Sequence, residues 1–218
     1  RYAVLDPEVT KSLPPALTAT TGMDALTHAV EAYIGRSTTK ETRQDAVNAV
    51  RLIFANIREA YQDGSNMRAR KQMLRAAYLA GNAFTRSYVG YVHAVAHSLG
   101  GKYNTPHGLA NAVLLPFVLE AYGQTAHRPL HALAVAVGIS DWRESDEEGA
   151  VKFIEAIRQM KKDLSIGDTI CGIQKKDIPG LARQAEKEAN PLYPVPDLMT
   201  AKQLEEFYYM VMEEETHA

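Results

Sequence analysis

The 218-residue sequence has one cysteine, Cys171, and little excess of either charge. A single cysteine excludes an internal disulfide framework and a CxxC zinc site. The net charge of −2 gives no basis for binding nucleic acid or an anionic membrane, so we expect neither partner. No apolar run approaches the roughly 18–20 residues that span a bilayer, and the first residues lack a signal-peptide layout. These features predict a soluble, cytoplasmic protein, although a processed secreted chain without disulfides would share them.

Several motifs for nucleotide binding and hydrolysis are also missing. The sequence has no G-x-G-x-x-G, no G-x-S-x-G and no H-E-x-x-H. A phosphate loop around the GGK at 100–102 would need glycine at 96 and serine or threonine at 103, where the chain has Ala96 and Tyr103. The residues themselves therefore provide no argument for nucleotide binding.

Strand signals are almost absent, and most of the sequence has helical periodicity. Apolar residues recur three and four apart in "KETRQDAVNAVRLIFANIREAYQDG" and in "NMRARKQMLRAAYLAGNAF". The apolar run "LANAVLLPFVLEAYG" predicts a central helix that ends or kinks at Pro116. Further amphipathic helices are predicted near 127–137, 148–163, 177–188 and 200–212. We predict a single all-α bundle over residues 1–218.

Three of the seven histidines lie in one stretch, "HAVAHSLGGKYNTPHG". His93 and His97 are four residues apart on a predicted helix, so they project from one face. Their neighbours are small or apolar, and burying two imidazoles there costs free energy unless each has a partner. We expect the helix to stop at Gly100-Gly101, after which a short loop returns the chain at His107.

Another pair with helical spacing, Asp24 and His28, lies upstream in "TTGMDALTHAVEAYIG". We expect Thr20 or Thr21 to cap this helix. A carboxylate and an imidazole on one helical face can bind a divalent cation, or they can form a surface hydrogen-bonded pair. One carboxylate with two or three imidazoles is suited to ferrous iron or zinc.

For the remaining histidines and for Cys171 we predict structural roles. His127 and His131 are four apart at a helix start beside Pro129, where surface or capping roles are predicted. His217 is one residue from the end and is predicted to be disordered. Cys171 has no partner base nearby in the sequence, so we expect a buried structural thiol.

The segments "LDPEVTKSLPPALTATTGMDALTHAVEAYIGR" and "AGNAFTRSYVGYVHAVAHSLGGKYNTPHGLANAVLLP" closely resemble two signature regions of the iron-containing (group III) alcohol dehydrogenases. That family has an N-terminal α/β domain that binds a nicotinamide nucleotide, followed by an all-helical domain that holds the metal. The resemblance implies that this chain is the helical C-terminal domain of the dehydroquinate synthase-like fold, with the nucleotide-binding domain absent. Residues 1–6 would then be a remnant strand of that missing domain.

The resemblance also assigns site residues by position. The implied metal ligands are Asp24, His28, His93 and His107. Together with His97 they form the spacing D-x3-H and H-x3-H-x9-H. His97 would lie beside the metal, near the nicotinamide and the substrate, as a catalytic proton relay and cofactor contact. Phe84 would line the substrate pocket. Arg86-Ser87 stands where the family commonly has Asn-Ala, a difference that bears on the shape of the pocket.

The implied activity is that of an NAD(P)-dependent alcohol dehydrogenase or aldehyde reductase acting on a small alcohol or aldehyde. The metal, Fe²⁺ or Zn²⁺, would polarise the substrate oxygen for hydride transfer to or from NAD or NADP. Without the nucleotide-binding domain, we expect the fragment alone to be inactive. The interface left by that domain would expose apolar surface and favour self-association into a homo-oligomer.

Two alternatives stay open at this point. A zinc-dependent polyol dehydrogenase of the glycerol type, or a lyase of the same superfamily, would share the fold but usually has three protein ligands. A non-enzymatic helical metal-binding module would use the same histidines without any nucleotide. The residues do not distinguish NAD from NADP, iron from zinc, one alcohol from another, or one oligomeric state from another.

Overall fold

The computed structural model describes residues 3–213, and the predicted all-helical architecture is confirmed for them. Their nine α-helices are α1 (Pro15–Ile34), α2 (Lys40–Gln62), α3 (Met67–Ser87), α4 (Tyr91–Tyr103), α5 (His107–Ala121), α6 (Gln124–Ala136), α7 (Asp146–Asp163), α8 (Ile178–Ala189) and α9 (Ala201–Val211). Within this range, strand-like pairing is limited to one bridge between Ile170 and Met212. None of the described helices has the length and hydrophobicity that crossing a membrane requires.

Local sequence explains where several helices begin. The N-cap hydroxyls of Thr39, Ser145 and Thr200 each accept a backbone N–H three residues on, in a reciprocal capping box. The acidic run at 141–148 therefore leads into the first turn of α7, where Asp146 and the next two residues are all acidic. Acidic side chains at that end of a helix interact favourably with its dipole.

Helix α1 lies against α2, α3 and α5, whereas α4 lies between α5 and α8. Helix α5 is buried along most of its length, from Ala110 to Leu119, as its almost continuous apolar sequence predicts. The pairs α6–α7 and α8–α9 pack beside this centre. Helices α1 and α4, which carry sequence-predicted ligands, thus both pack against α5, which carries another.

The predicted end of α4 is wrong, and one of the two outcomes predicted at Pro116 is excluded. Helix α4 continues through Gly100-Gly101 to Tyr103 and ends at Asn104, whose φ of 54° is left-handed. Glycine lowers helix propensity by about 1 kcal/mol, a cost that tertiary packing readily overrides, and Asn is a common left-handed residue at a helix end. Helix α5 runs through Pro116 to Ala121, so an end at Pro116 is excluded, and the alternative of a kink there stays a prediction.

The predicted cap of α1 is also wrong. This helix begins at Pro15, five residues before Thr20. Proline suits a first helical position because its missing N–H would have no partner there. The hydroxyls of Thr20 and Thr21 instead donate to the carbonyls of Ala16 and Leu17 in the preceding turn.

Residues 3–6 have no regular secondary structure, and residues 1 and 2 lie outside the described residues. A strand needs a neighbouring strand for its hydrogen bonds. The remnant strand at residues 1–6 therefore stays a prediction. The predicted disorder of His217 also falls outside the described residues.

Candidate metal centre

Four side chains from three helices converge at one point, where three imidazoles surround the carboxylate of Asp24. Asp24 and His28 are one turn apart on α1, His93 lies in the first turn of α4, and His107 opens α5. One ligand atom from each residue lies within 4.8 Å of all the others. The Oδ1 atom of Asp24 is 3.6 Å from His93 Nε2 and 3.4 Å from His107 Nε2, and Oδ2 is 3.7 Å from His28 Nδ1. The sequence-predicted ligands are therefore brought together at one point.

A close approach of α5 to α1 places His107 in this group. A Cβ atom on the next residue, Gly108, would lie only 2.5 Å from the backbone carbonyl oxygen of Thr20 in α1. Only glycine permits that approach without moving a helix. The His-Gly pair at the start of α5 thus combines a predicted ligand with the contact that positions it.

The donor set fits a divalent cation. One carboxylate and three imidazoles are the ligand types of Zn²⁺ and Fe²⁺ sites in proteins. The Nε2 atom of His93 is buried and has no hydrogen-bond partner among the described residues, and it is directed at the other ligands. A buried polar atom without a partner is costly, and a bound cation would supply that partner.

The surroundings of the four predicted ligands shift their pKa values away from the ordinary ones. Burial alone would raise the pKa of Asp24, but interactions with His93, His28 and Asn111 outweigh it and lower that pKa to about 2. Burial lowers the pKa of His28 to about 4 and also lowers that of His107. Burial acts in the same direction on His93, but the nearby carboxylates of Asp24 and Glu31 raise its pKa to about 9. At neutral pH the metal-free centre thus pairs an ionised Asp24 with a protonated His93.

A cavity of about 400 Å³ opens beside these ligands, and both remaining sequence-predicted residues line it. The Phe84 ring stacks on His28 with centroids 4.2 Å apart. The His97 ring stacks on His107 with centroids 5.3 Å apart, and its side chain is 42% exposed. The structure therefore places Phe84 and His97 at the predicted pocket, and their roles remain proposals.

Four polar residues of this region were missed from the sequence. Glu31 contacts His93, and Asn111 donates to Asp24 Oδ1 at 2.6 Å. Each interrupts an apolar helical run, a signal that could have identified them. Glu188 Oε1 lies 2.7 Å from His97 Nδ1 and accepts the hydroxyl of Tyr193 at 2.8 Å, and no local pattern marked either residue.

Two structural interpretations from the sequence are wrong. His131 is buried, not at the surface: its Nδ1 lies 3.0 Å from Asp146 Oδ1 and its Nε2 lies 3.0 Å from the carbonyl oxygen of Asp141. It therefore links α6 to the start of α7. Cys171 is exposed, whereas the preceding residue, Ile170, is buried. Cys171 lies in the turn that follows the bridge residue Ile170, and turns run mostly over the protein surface, so the lack of a partner base does not imply a buried thiol.

Residues 18–212 match the sequence model of the Fe-containing alcohol dehydrogenase family, C-terminal, and the chain belongs to this family. It is 44% identical to the 1,3-propanediol dehydrogenase of Klebsiella pneumoniae over 191 residues, which are 86% of this chain and 49% of that protein. Alcohol dehydrogenase 4 of Saccharomyces cerevisiae is 41% identical over 191 residues, 86% of this chain and 48% of that protein. The chain thus spans about half the length of the curated relatives that it matches.

Comparison of the fold with solved structures gives the same result as the sequence comparison. The crystal structure of a 1,3-propanediol oxidoreductase superposes with a TM-score of 0.90 and 39% identity, covering 95% of this chain and 55% of that one. The family expected from the two signature regions is therefore confirmed. Its relatives are alcohol dehydrogenases and related oxidoreductases.

Proposed function

We propose that this chain is the metal-binding half of an NAD(P)-linked alcohol dehydrogenase or aldehyde reductase. The proposed ligands of its Fe²⁺, or alternatively Zn²⁺, are Asp24, His28, His93 and His107. The observation that carries the proposal is the convergence of these four side chains from three helices, with His93 Nε2 lacking a hydrogen-bond partner among the described residues. When bound, a divalent cation supplies Lewis acidity toward the oxygen of an alcohol or aldehyde.

The volume and the lining of the cavity beside the proposed ligands favour a small substrate. Phe84, Tyr88 and Val89 contribute apolar wall, and His28, His93 and His107 form the polar end. Within this cavity Phe84 would contact the carbon skeleton of the substrate, while the histidine end would orient its oxygen.

We propose that His97 acts as a proton relay. Its Nδ1 lies against the Glu188 carboxylate, an arrangement in which Nδ1 donates and Nε2 remains the atom free to exchange a proton. The imidazole also lies at the exposed side of the cavity, where a nicotinamide ring would approach. We assign the nucleotide itself to an N-terminal α/β domain of the kind found in full-length family members.

Metal content tests the proposed centre. The 218-residue chain, its His93→Ala variant and a His127→Ala control are loaded anaerobically with Fe²⁺ or Zn²⁺ and analysed by mass spectrometry. We expect about one metal per chain in the wild type and the control, and loss of the metal from His93→Ala. Absence of metal from the wild type, or its retention by His93→Ala, would contradict the ligand assignment.

A fusion tests the activity. The chain alone is expected to show no NAD(P)H-dependent aldehyde reduction, because we assign the nucleotide site to the N-terminal α/β domain. Joined to the N-terminal half of the Klebsiella pneumoniae relative, it should reduce small aldehydes. A folded, metal-loaded fusion without activity would instead favour the non-enzymatic metal-binding module.

A further inference from the structure

Glu31 is a carboxylate buried directly behind His93. It lies on α1, three residues after His28, and its side chain is 1% exposed. Oε2 lies 2.6 Å from His93 Nδ1, and Oε1 accepts the backbone N–H of Val92 at 2.8 Å. Both oxygens therefore engage the first turn of α4, and they do so at the imidazole nitrogen that does not face Asp24.

This contact determines which imidazole nitrogen is available to a cation. A carboxylate only accepts hydrogen bonds, so Nδ1 of His93 must be the donor. With the hydrogen on Nδ1, a neutral imidazole carries its lone pair on Nε2, the buried atom that lacks a partner. Metal-binding histidines commonly donate their second N–H to a carboxylate or a carbonyl, which holds the ring and its tautomer.

We infer that Glu31 is a positioning residue, which holds His93 in the tautomer and orientation that the cation needs. This role presupposes the proposed metal centre, in which Glu31 itself is not a ligand. The carboxylate also joins α1 to the start of α4, so it connects the helix of Asp24 and His28 with the helix of His93.

The backbone is adapted to this carboxylate. Gly90, the residue before α4, has no Cβ, and a Cβ built there would lie 2.7 Å from Glu31 Oε1 and 3.2 Å from Cδ. Gly90→Ala would therefore displace the carboxylate while leaving its charge unchanged. It provides a second perturbation of the same contact from a different residue.

Glu31→Gln is the most direct test. The glutamine carbonyl can still accept the N–H of Val92, but its NH₂ group then faces His93 Nδ1. Because two donors cannot pair, the imidazole hydrogen moves to Nε2, the atom needed for the cation. We expect the Zn²⁺ affinity of the chain to fall by roughly 10–100-fold, the effect typical of losing such a partner.

Zn²⁺ affinity is measured by competition with a chromophoric chelator for the wild type, Glu31→Gln and Gly90→Ala. The matched control is Asp146→Asn, which removes a carboxylate from a buried histidine outside the metal centre. Nitrogen-15 NMR of the Zn²⁺-loaded proteins reports whether His93 carries its hydrogen on Nδ1, and thermal unfolding of the metal-free proteins reports on the fold.

Weaker binding in both site variants, normal binding in the control and loss of the Nδ1–H signal in Glu31→Gln are expected. Unchanged affinity and unchanged imidazole signals would overturn the positioning role, even if the variants unfolded at lower temperature. If Glu31→Gln does not fold, Gly90→Ala decides the question by the same two readouts. A wild type that binds no Zn²⁺ would refute the metal centre, and the role of Glu31 with it.

Discussion

Replacing Gly108 with alanine tests whether α1 and α5 approach as closely as the metal centre requires. The new Cβ would lie 2.5 Å from the carbonyl oxygen of Thr20 and 2.8 Å from its carbonyl carbon. Both are backbone atoms inside α1, so rotation of a side chain cannot relieve the contact. Since ordinary contact begins at 3.4 Å, the helices must separate locally by about 0.9 Å.

The expected cost follows from this overlap. Overpacking of a filled interior typically costs about 1–3 kcal/mol, and the better helix propensity of alanine offsets at most about 1 kcal/mol. With the middle of that range, about 2 kcal/mol, the net loss in the free energy of unfolding is about 1–2 kcal/mol for the metal-free chain. The same movement carries His107 away from Asp24, and binding sites tolerate only about 0.5 Å of such error. We expect the Zn²⁺ affinity to fall by at least about tenfold, equivalent to about 1.4 kcal/mol.

Urea denaturation followed by circular dichroism measures the stability, and chelator competition measures the affinity. Gly101→Ala is the matched control, because a Cβ at that helical position meets no described atom within 4 Å. Alanine there should be neutral or stabilising. If Gly108→Ala is as stable as the control and binds Zn²⁺ as tightly as the wild type, the close approach of the two helices is refuted.

Two further predictions concern metal and pH. Zn²⁺ at 100 times its Kd should raise the free energy of unfolding by about 2.7 kcal/mol, and a chelator should remove this gain. At the same Zn²⁺ concentration, His28→Ala should show a smaller increase in the free energy of unfolding. An increase as large as that of the wild type would favour the alternative with three protein ligands. The hydrogen bond with Asp146 raises the pKa of His131 in the folded state. This pair therefore stabilises the fold fully below the unfolded-state pKa of about 6.5. The stabilisation disappears as the pH rises through the higher folded-state pKa. Asp146→Asn should therefore lower the urea midpoint more at about pH 5.5 than at about pH 8.5, and equal losses would contradict this account.

The helices could be predicted from the spacing of residues, and the grouping of the four candidate ligands from the resemblance to the family. Apolar periodicity marks a helix locally, and residues four apart on a helix, such as Asp24 and His28, necessarily share a face. The resemblance to the family added His107, which no periodicity connects with the other ligands.

Features that depend on packing between distant segments could not be predicted in this way. Glu31 and His93 are 62 residues apart in sequence, and their contact exists only because α1 crosses the start of α4. The burial of His131 likewise depends on the partner carboxylate of Asp146 on the next helix. The continuation of α4 past Gly100 reflects tertiary packing that outweighs a local propensity.

The charges around His93 connect the metal-free chain with its proposed function. Asp24 and Glu31 flank the same imidazole, one facing Nε2 and the other Nδ1. Two carboxylates this close to one buried group are stable only with positive charge between them, and in the metal-free chain a proton on His93 supplies it. A divalent cation bound at Nε2 would replace the proton there and supply the charge opposite Asp24, while Nδ1–H would still donate to Glu31. In the metal-free structure the four side chains thus already surround the position that the cation would occupy.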